Sequence, residues 1–197
     1  MSTNSKPRQR LDPAARRSEI IAAATRQISE RGYRGVTLEA IAQEVGISKA
    51  GVQHHFPSKD DLLIAVLEAR DEEDMSYAAS ASHALATREE FIASLRHTVQ
   101  RNVERREIIQ LFTVLGAESL DENHPAHLYF ERRTAMLREQ FEAYMRDWFK
   151  DPKESSIDFM SYLDGLQLAW LRDPSIDILA HSMSFMALLL ARENLPA

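Results

Sequence analysis

The apolar residues of this chain recur at three- and four-residue spacing through most of its length. This is the period of an amphipathic α-helix that buries one face. Only 6 Gly and 7 Pro interrupt the pattern, so the sequence predicts an all-α fold. The predicted helices lie near residues 13–31, 38–45, 48–55, 58–82, 88–104, 106–119, 125–150, 156–172 and 174–193.

Residues typical of helix N-termini precede most of the predicted helices. A capping side chain accepts a hydrogen bond from a free N–H group of the first turn, and proline suits the first helical position. The predicted start signals are Asp12-Pro13, Thr37, Ser48, Ser58 with Asp61, Thr87 with Glu90, Pro125, Ser155 with Asp158, and Asp173-Pro174.

The helix lengths predict a division into domains. Three helices precede Pro57 and longer ones follow it. We expect a small N-terminal domain at 11–57 and a larger helical domain at 58–197, joined by the helix predicted at 58–82. Residues 1–10 lack an apolar face and are basic, which predicts a flexible arm.

Charge is distributed unevenly along the chain. The net charge is −6, but residues 1–60 carry 10 Lys and Arg against 6 Asp and Glu, whereas residues 61–197 carry 14 against 24. A basic N-terminal segment followed by an acidic remainder indicates that a polyanionic partner would bind to the first 60 residues. So small an excess of Lys and Arg over Asp and Glu in the first 60 residues can also arise by chance.

Composition excludes several classes of protein. Zero cysteines exclude disulfide scaffolds, Cys-ligated zinc, iron–sulfur clusters and thiol catalysis. The start of the chain has no apolar signal segment, and the most apolar stretch, Ile178–Ala191, is shorter than the ~17–20 residues that span a bilayer. We therefore expect a cytoplasmic protein with no membrane partner.

Residues 37–56 carry the most specific local pattern, TLEAIAQEVGISKAGVQHHF. Ala42 is small where a second helix would cross closely, Gly46 can adopt the left-handed conformation, and Ser48 can cap the next helix. Together they predict a helix-turn-helix. A phosphate-binding loop is excluded because Gly51 is followed by Val52-Gln53 instead of Lys-Ser/Thr.

Residues 16–63 resemble the DNA-binding domain of the tetracycline-repressor (TetR) family of bacterial transcription regulators. The matched positions are Gly32-Tyr33, Thr37, Ile41-Ala42, Val45 to Ser48, Phe56 to Lys59 and Leu62-Leu63. Asp164 to Leu166, Trp170 and Asp173-Pro174 also resemble the dimerisation region of some members.

The resemblance implies a homodimer of nine-helix subunits, with one recognition helix per subunit in adjacent major grooves of double-stranded operator DNA. It further implies that a small apolar or amphipathic effector, unidentified here, binds the C-terminal domain, moves the helix at 58–82 and releases a repressor from a palindromic operator. Some relatives activate, or bind DNA better with their ligand. We expect no catalytic residue, cofactor or metal.

The DNA-contacting residues are expected around the second helix of the motif. Thr37 and Ser48 suit phosphates, or serve only as caps. Lys49 and Gln53 lie four residues apart and can read guanine and adenine edges. Lys59 matches a lysine with which the family contacts phosphate. The remaining candidates are Ala50, Gly51, His54 and His55.

Two positions depart from the family's usual pattern. Gly51 stands where Thr is common, and Gln53 where Tyr is common. Glycine inside a helix costs about 0.5–1 kcal/mol relative to alanine. Close approach of the backbone to DNA would explain Gly51, and so would drift.

The C-terminal part supplies two further candidate sets. Polar residues on apolar faces and a surplus of aromatic residues predict a ligand site, although each is also common in a core. Those candidates are His97, Gln100, Phe112, Tyr129, Met136, Trp148 and Trp170. The last two helices are apolar on more than one face, which predicts a four-helix dimer interface. Its candidates are Met160, Leu163, Gln167, Leu171, Met183, Ala187 and Leu190.

Two other classes of protein stay open. A helical protein-interaction adaptor without DNA binding would explain the apolar C-terminal helices but not the segment from Ser48 to Lys59. A helical metal-dependent enzyme has only His124-x-x-His127 in its favour, since the chain lacks the paired Glu-x-x-His motifs of a di-iron bundle.

Overall fold

The computed structural model of the chain describes residues 12–81 and 87–193, with only the backbone described for 77–81. Within these residues there are nine α-helices and no β-strand, which confirms the all-α prediction. The arm predicted at residues 1–10 lies outside the described residues. The helices are α1 (Pro13–Arg31), α2 (Leu38–Val45), α3 (Lys49–His55), α4 (Lys59–Ala81), α5 (Arg88–Glu104), α6 (Arg106–Glu118), α7 (His127–Met145), α8 (Pro152–Arg172) and α9 (Ile178–Glu193).

The chain forms two compact units, one ending at Ala69 and one beginning at Arg70. The division falls inside α4, whereas the sequence pattern placed it before that helix, between residues 57 and 58. The first turns of α4 belong to the N-terminal unit because their apolar side chains, such as Leu63 and Leu67, are fully buried.

The N-terminal unit is built around one face of α1. Ile20, Ala23 and Ala24 are fully buried at helical spacing. Gln27, on the same face, is held by α2: its amide nitrogen donates to the Ala40 carbonyl at 3.2 Å and to the Glu44 carboxylate at 2.6 Å. The buried amide nitrogen thus finds its partners on the neighbouring helix.

Several of the predicted caps are present. Thr87 and Glu90 form a reciprocal capping box at the start of α5. Ser58 and Asp61 do the same at α4: the Asp61 N–H donates to Ser58 Oγ at 3.0 Å and the Ser58 N–H to Asp61 Oδ2 at 2.9 Å. These caps confirm the predicted entry points of both helices.

The predicted bounds of α7 and α8 are wrong. The helix predicted to begin at residue 156 begins at Pro152, because Asp151 accepts a hydrogen bond from the Glu154 N–H at 2.9 Å. Ser155, taken as the cap, is fully buried inside the helix. Helix α7 ends at Met145 instead of residue 150.

The predicted start of α9 at residue 174 is also wrong. Asp173 accepts hydrogen bonds from the N–H and hydroxyl of Ser175, at 3.0 and 2.7 Å. This closes a local turn in place of a helix. The cap is Asp177, which accepts from the Ala180 N–H at 2.9 Å.

The C-terminal unit has an aromatic core. Phe141 and Tyr144 of α7, and Trp148 shortly after it, pack against buried residues of this core. Phe91 of α5 contacts all three, with ring centroids 5.7 to 6.3 Å apart. Among the described residues, no helix combines the length and apolar character needed to cross a bilayer.

Candidate functional site

The turn between α2 and α3 has the geometry that its sequence predicts. Gly46 adopts φ 71° and ψ 39°, the left-handed region, which a side chain would make costly. The Ile47 N–H reaches back to the Ala42 carbonyl at 2.9 Å. This closure ends α2, and α3 starts after only three intervening residues, Gly46, Ile47 and Ser48.

Helix α3 buries one edge and exposes the rest. Val52 is fully buried, and so is Phe56 at the C-terminal cap. Ser48 caps the helix by accepting from the Gly51 N–H at 3.0 Å. Because seven residues make barely two turns, the position of the helix depends on these few contacts.

The exposed side of α3 carries the candidate DNA contacts. The Gln53 side chain is exposed and makes no hydrogen bond among the described residues, so its amide is available to a base edge. His54 is exposed and His55 half-buried, with their rings edge to face at 5.4 Å. Lys49 and Ala50 are also exposed.

Gly51 is half-buried in α3, and the fold has room for a side chain there. A Cβ built at this position would lie 3.4 Å from Ser48 Oγ and 3.5 Å from Ile47 Cβ, which is ordinary van der Waals contact. The unit itself therefore does not require glycine.

Thr37 caps α2 by accepting from the Ala40 N–H at 3.2 Å. Its hydroxyl therefore serves as a helix cap, as the Ser48 hydroxyl does at α3. Both residues are exposed. A hydroxyl at a helix N-terminus can act as a cap and also lie against a phosphate, since the remaining first-turn N–H groups point outward.

Lys59 lies over an aromatic ring. Its ammonium is 4.1 Å from the centroid of Tyr33, and the Tyr33 hydroxyl donates to Asp60. Burial and the Asp60 carboxylate raise the pKa of Tyr33 above its usual range, so the phenol stays neutral.

Sequence reasoning missed two charged residues beside α3. The Arg17 guanidinium lies 4.7 Å from the centroid of Phe56, and the Glu39 carboxylate lies 2.7 Å from the Lys49 ammonium. The first pair is 39 positions apart and the second ten, so no local pattern indicates either.

The C-terminal unit contains an open cleft of about 1000 Å³ among α4, α5 and the start of α9. It brings together two of the predicted ligand residues, His97 and Gln100. The rest of its lining is mainly charged, with Glu73, Ser76, Arg101, Val103, Glu104, Arg105, Asp177 and Leu179.

The other five predicted ligand residues do not line this cleft. Phe112 packs on Phe130, Trp148 on Phe91, and Trp170 lies 5.7 Å from the Arg106 guanidinium. Tyr129 is buried and Met136 is exposed.

Tyr129 belongs to a polar network between α4 and α7. Its hydroxyl donates to Asp71, which also accepts from Arg133 Nε at 3.0 Å. Burial, and then the hydrogen bond to Asp71, raise the pKa of Tyr129 above its usual range. The network satisfies the polar groups that this part of the unit buries.

The predicted dimer residues lie at the surface of α8 and α9, mostly half-buried. Leu163, Leu171, Met183 and Leu190 pack in part against the core of their own unit. Met160 and Gln167 are half-buried and Ala187 is exposed. The large apolar side chains that remain exposed on these helices are Ile157, Leu168 and Leu188.

The two histidines that favoured a metal site have other partners. His124 Nδ1 accepts from the Ala126 N–H at 3.2 Å, and His127 Nδ1 lies 2.8 Å from the Ser119 carbonyl oxygen. No group of three or more potential metal ligands occurs in the described part of the chain.

A short helix with an exposed polar side, joined to the preceding helix by a glycine turn, is the arrangement of a helix-turn-helix motif. Residues 20–66 match the family model described as "Bacterial regulatory proteins, tetR family". This match covers about a quarter of the chain and lies within the N-terminal unit.

Two relatives carry the same description, HTH-type transcriptional regulator BetI. The protein from Burkholderia thailandensis is 38% identical over 95 residues, 47% of each chain. The one from Brucella canis is 43% identical over 61 residues, 31% of this chain and 30% of the relative. The chain thus matches about half the length of the first relative and a third of the second.

Solved structures share the fold over nearly the whole chain. A TetR transcription regulator from Haloarcula marismortui has a TM-score of 0.80 at 18% identity, covering 91% of this chain and 98% of that one. A transcriptional regulator from Saccharomonospora viridis in complex with choline has a TM-score of 0.72 at 22% identity, covering 90% and 96%.

Proposed function

We propose that this protein is a ligand-responsive, sequence-specific transcription regulator that acts as a repressor. The observation that carries the proposal is the exposed face of α3, where Lys49 and Gln53 stand on a helix anchored by Val52 and Phe56. A polar helix face of this size fits the major groove and presents donors to base edges.

A palindromic operator requires two copies of α3, one from each subunit of a dimer. We propose that the subunits associate through α8 and α9. Ile157 and Leu168 share the exposed side of α8, and Leu188 follows exposed Ala187 on α9. Two helices from each subunit would bury these apolar side chains. A dimer spaces its recognition helices by one DNA turn, about 34–36 Å.

The effector site that we propose includes the cleft of the C-terminal unit. Its lining of carboxylates, guanidiniums, His97 and Gln100 suits a small amphipathic molecule with a polar or charged group better than a purely apolar one. Glu73 and Ser76 place α4 in the cleft wall, while Lys59 stands on the first turn of the same helix. An effector that contacts α4 would therefore act on the helix that carries a DNA contact.

DNA binding is tested with fluorescently labelled DNA from the promoter next to the protein's own gene. We expect nanomolar-range affinity for one site, and release on addition of the effector. The double variant K49A/Q53A should lose at least tenfold in affinity for that site, since a good base contact contributes about 1–3 kcal/mol of discrimination. Its oligomeric state, measured by sedimentation, should not change.

The matched control is K153A/Q110A. Both residues are exposed and belong to the C-terminal unit, so this variant removes the same chemical groups without touching α3. Equal losses in the two double variants, or equal affinity of the wild type for promoter and scrambled DNA, would contradict the proposal.

A further inference from the structure

One carboxylate stands among the candidate DNA contacts. Glu39 lies in the first turn of α2, and its Oε1 is 2.7 Å from the Nζ of Lys49, the first residue of α3. The two side chains are 59% and 49% exposed, so neither is confined by packing. A carboxylate on a surface that contacts phosphates opposes DNA binding. The presence of Glu39 on this surface therefore needs an explanation.

The charge of this carboxylate is stabilised by its neighbour on α3. The contact with the Lys49 ammonium lowers the pKa of this carboxyl more than any other interaction. Glu39 is therefore ionised at neutral pH and lies between two candidate DNA contacts, Thr37 and Lys49.

The second carboxylate of α2 has a different role. Glu44 accepts from Gln27 at 2.6 Å and pairs with Arg26 at 2.6 Å, both on α1. It belongs to the contact between the first two helices. Glu39, in contrast, makes its side-chain ion pair with a residue of the recognition helix.

We propose that Glu39 determines sequence specificity: Glu39 and Lys49 together read one G·C base pair, Lys49 donating to guanine and Glu39 accepting from cytosine. Guanine presents two adjacent acceptors, O6 and N7, in the major groove, and its cytosine partner presents the N4 amino donor next to O6. An ammonium and a carboxylate in contact match these adjacent groups.

An A·T pair matches less well. Adenine also presents an acceptor, N7, beside a donor, N6–H₂, but lysine then meets one acceptor where guanine offers two, O6 and N7. The inference rests on the proposed function, because it assumes that α3 enters the major groove.

The test is selection of binding sites from a random DNA pool by the full-length wild type and the variants E39Q, K49A and E68Q. Glu68 is exposed on α4 in the same unit and has no ion-pair partner among the described residues, so E68Q is a matched loss of one negative charge. The wild type and E68Q should select a site with an invariant G·C pair at one position of each half-site.

In E39Q and K49A the preference for G·C at that position should fall by about fivefold or more, the range of one good base contact, while other positions stay selective. If E39Q binds all sequences more tightly and keeps the same preference, Glu39 is only a repulsive charge and the inference is overturned. An A·T pair at the sensitive position also overturns it. Failure of the wild type to select any consensus contradicts the proposed function instead.

Discussion

The ammonium of Lys59 lies 4.1 Å from the centroid of the Tyr33 ring, which joins the first turn of α4 to the loop after α1. A cation over an aromatic face gains electrostatic attraction and loses rotamer freedom. Lys59 is half-buried, so its charge is presented at a fixed place beside α3.

Replacing this lysine tests whether it meets the phosphate backbone. We expect Lys59→Ala to weaken binding to all DNA sequences by a similar factor, because a phosphate contact carries no base information. The slope of log K against log salt concentration should become shallower by about 0.9, the value for one contact. Titrations at four salt concentrations measure it.

Tyr33→Phe serves as the control for Lys59→Ala. It keeps the ring under Lys59 and removes only the hydroxyl that donates to Asp60. The salt slope should stay at the wild-type value. A loss in K59A that is confined to one DNA sequence would show that Lys59 reads a base.

Gly51→Ala should separate stability from DNA binding. The new Cβ would meet Ser48 Oγ and Ile47 Cβ at 3.4 and 3.5 Å, which the fold accommodates. Alanine loses less conformational entropy on folding than glycine does. The substitution should therefore stabilise the N-terminal unit by about 0.5–1 kcal/mol. If the backbone approaches DNA closely at this point, affinity falls despite the gain. Urea unfolding and DNA titration on the same preparation measure both, and unchanged affinity would leave drift as the reason for the glycine.

Local signals sufficed for most of the fold. Gly46, Thr87 and Ser58 act through atoms within three or four residues in the chain, so their spacing is visible in the sequence. The errors came from signals of equal local strength: Asp151-Pro152 and Asp173-Pro174 look alike, yet only the first opens a helix. The second closes a turn on Ser175, and tertiary packing decides between such outcomes.

The candidate site was less accessible to sequence reasoning. The exposed side of α3 follows from helical periodicity once Val52 and Phe56 are taken as buried. The partners of Lys49 and Lys59 do not follow, because Glu39 and Tyr33 reach them across the fold. The cleft cannot be inferred from the sequence for the same reason, because α4, α5 and α9 all contribute residues to it.

Asp74→Ala should destabilise the C-terminal unit. Arg70, only 7% exposed, pairs with Asp74 at 2.9 Å, and Arg101 donates to the same carboxylate. Removing Asp74 leaves the buried Arg70 guanidinium with one carboxylate nearby, that of Glu73 at 4.0 Å. We expect a loss of about 1–3 kcal/mol, below the range for a fully buried pair because Asp74 itself is partly exposed. Thermal unfolding measures the loss.

Asp158→Ala is the comparison for Asp74→Ala. Asp158 pairs with Arg192 at 3.2 Å, and both side chains are exposed. Surface pairs of this kind contribute at most about 1 kcal/mol. Equal effects of the two substitutions would mean that burial of Arg70 does not matter.

Acid should weaken the contact between α1 and α2. Hydrogen bonds from Gln27 and then Arg26 lower the pKa of Glu44 below its usual 4.5. A carboxyl with a lowered folded-state pKa contributes stability that is fully present above pH 4.5 and is lost as pH falls through the lowered value. Glu44→Gln should therefore be less stable than wild type at pH 7, with the difference shrinking towards pH 3. Urea unfolding across this range checks the trend, and a constant difference would rule out the charge as its cause.

Leu188→Glu should break the dimer and, with it, operator binding. Leu188 is 67% exposed on α9, and a carboxylate in a self-complementary interface would meet its own copy near the two-fold axis or be buried without a partner. The variant should sediment as a folded monomer at micromolar concentration and bind a single half-site weakly. Leu120→Glu is the control, since Leu120 is 83% exposed but lies after α6. A dimer that survives L188E and dissociates in L120E would place the interface elsewhere, and the spacing of the recognition helices would have to come from other surfaces.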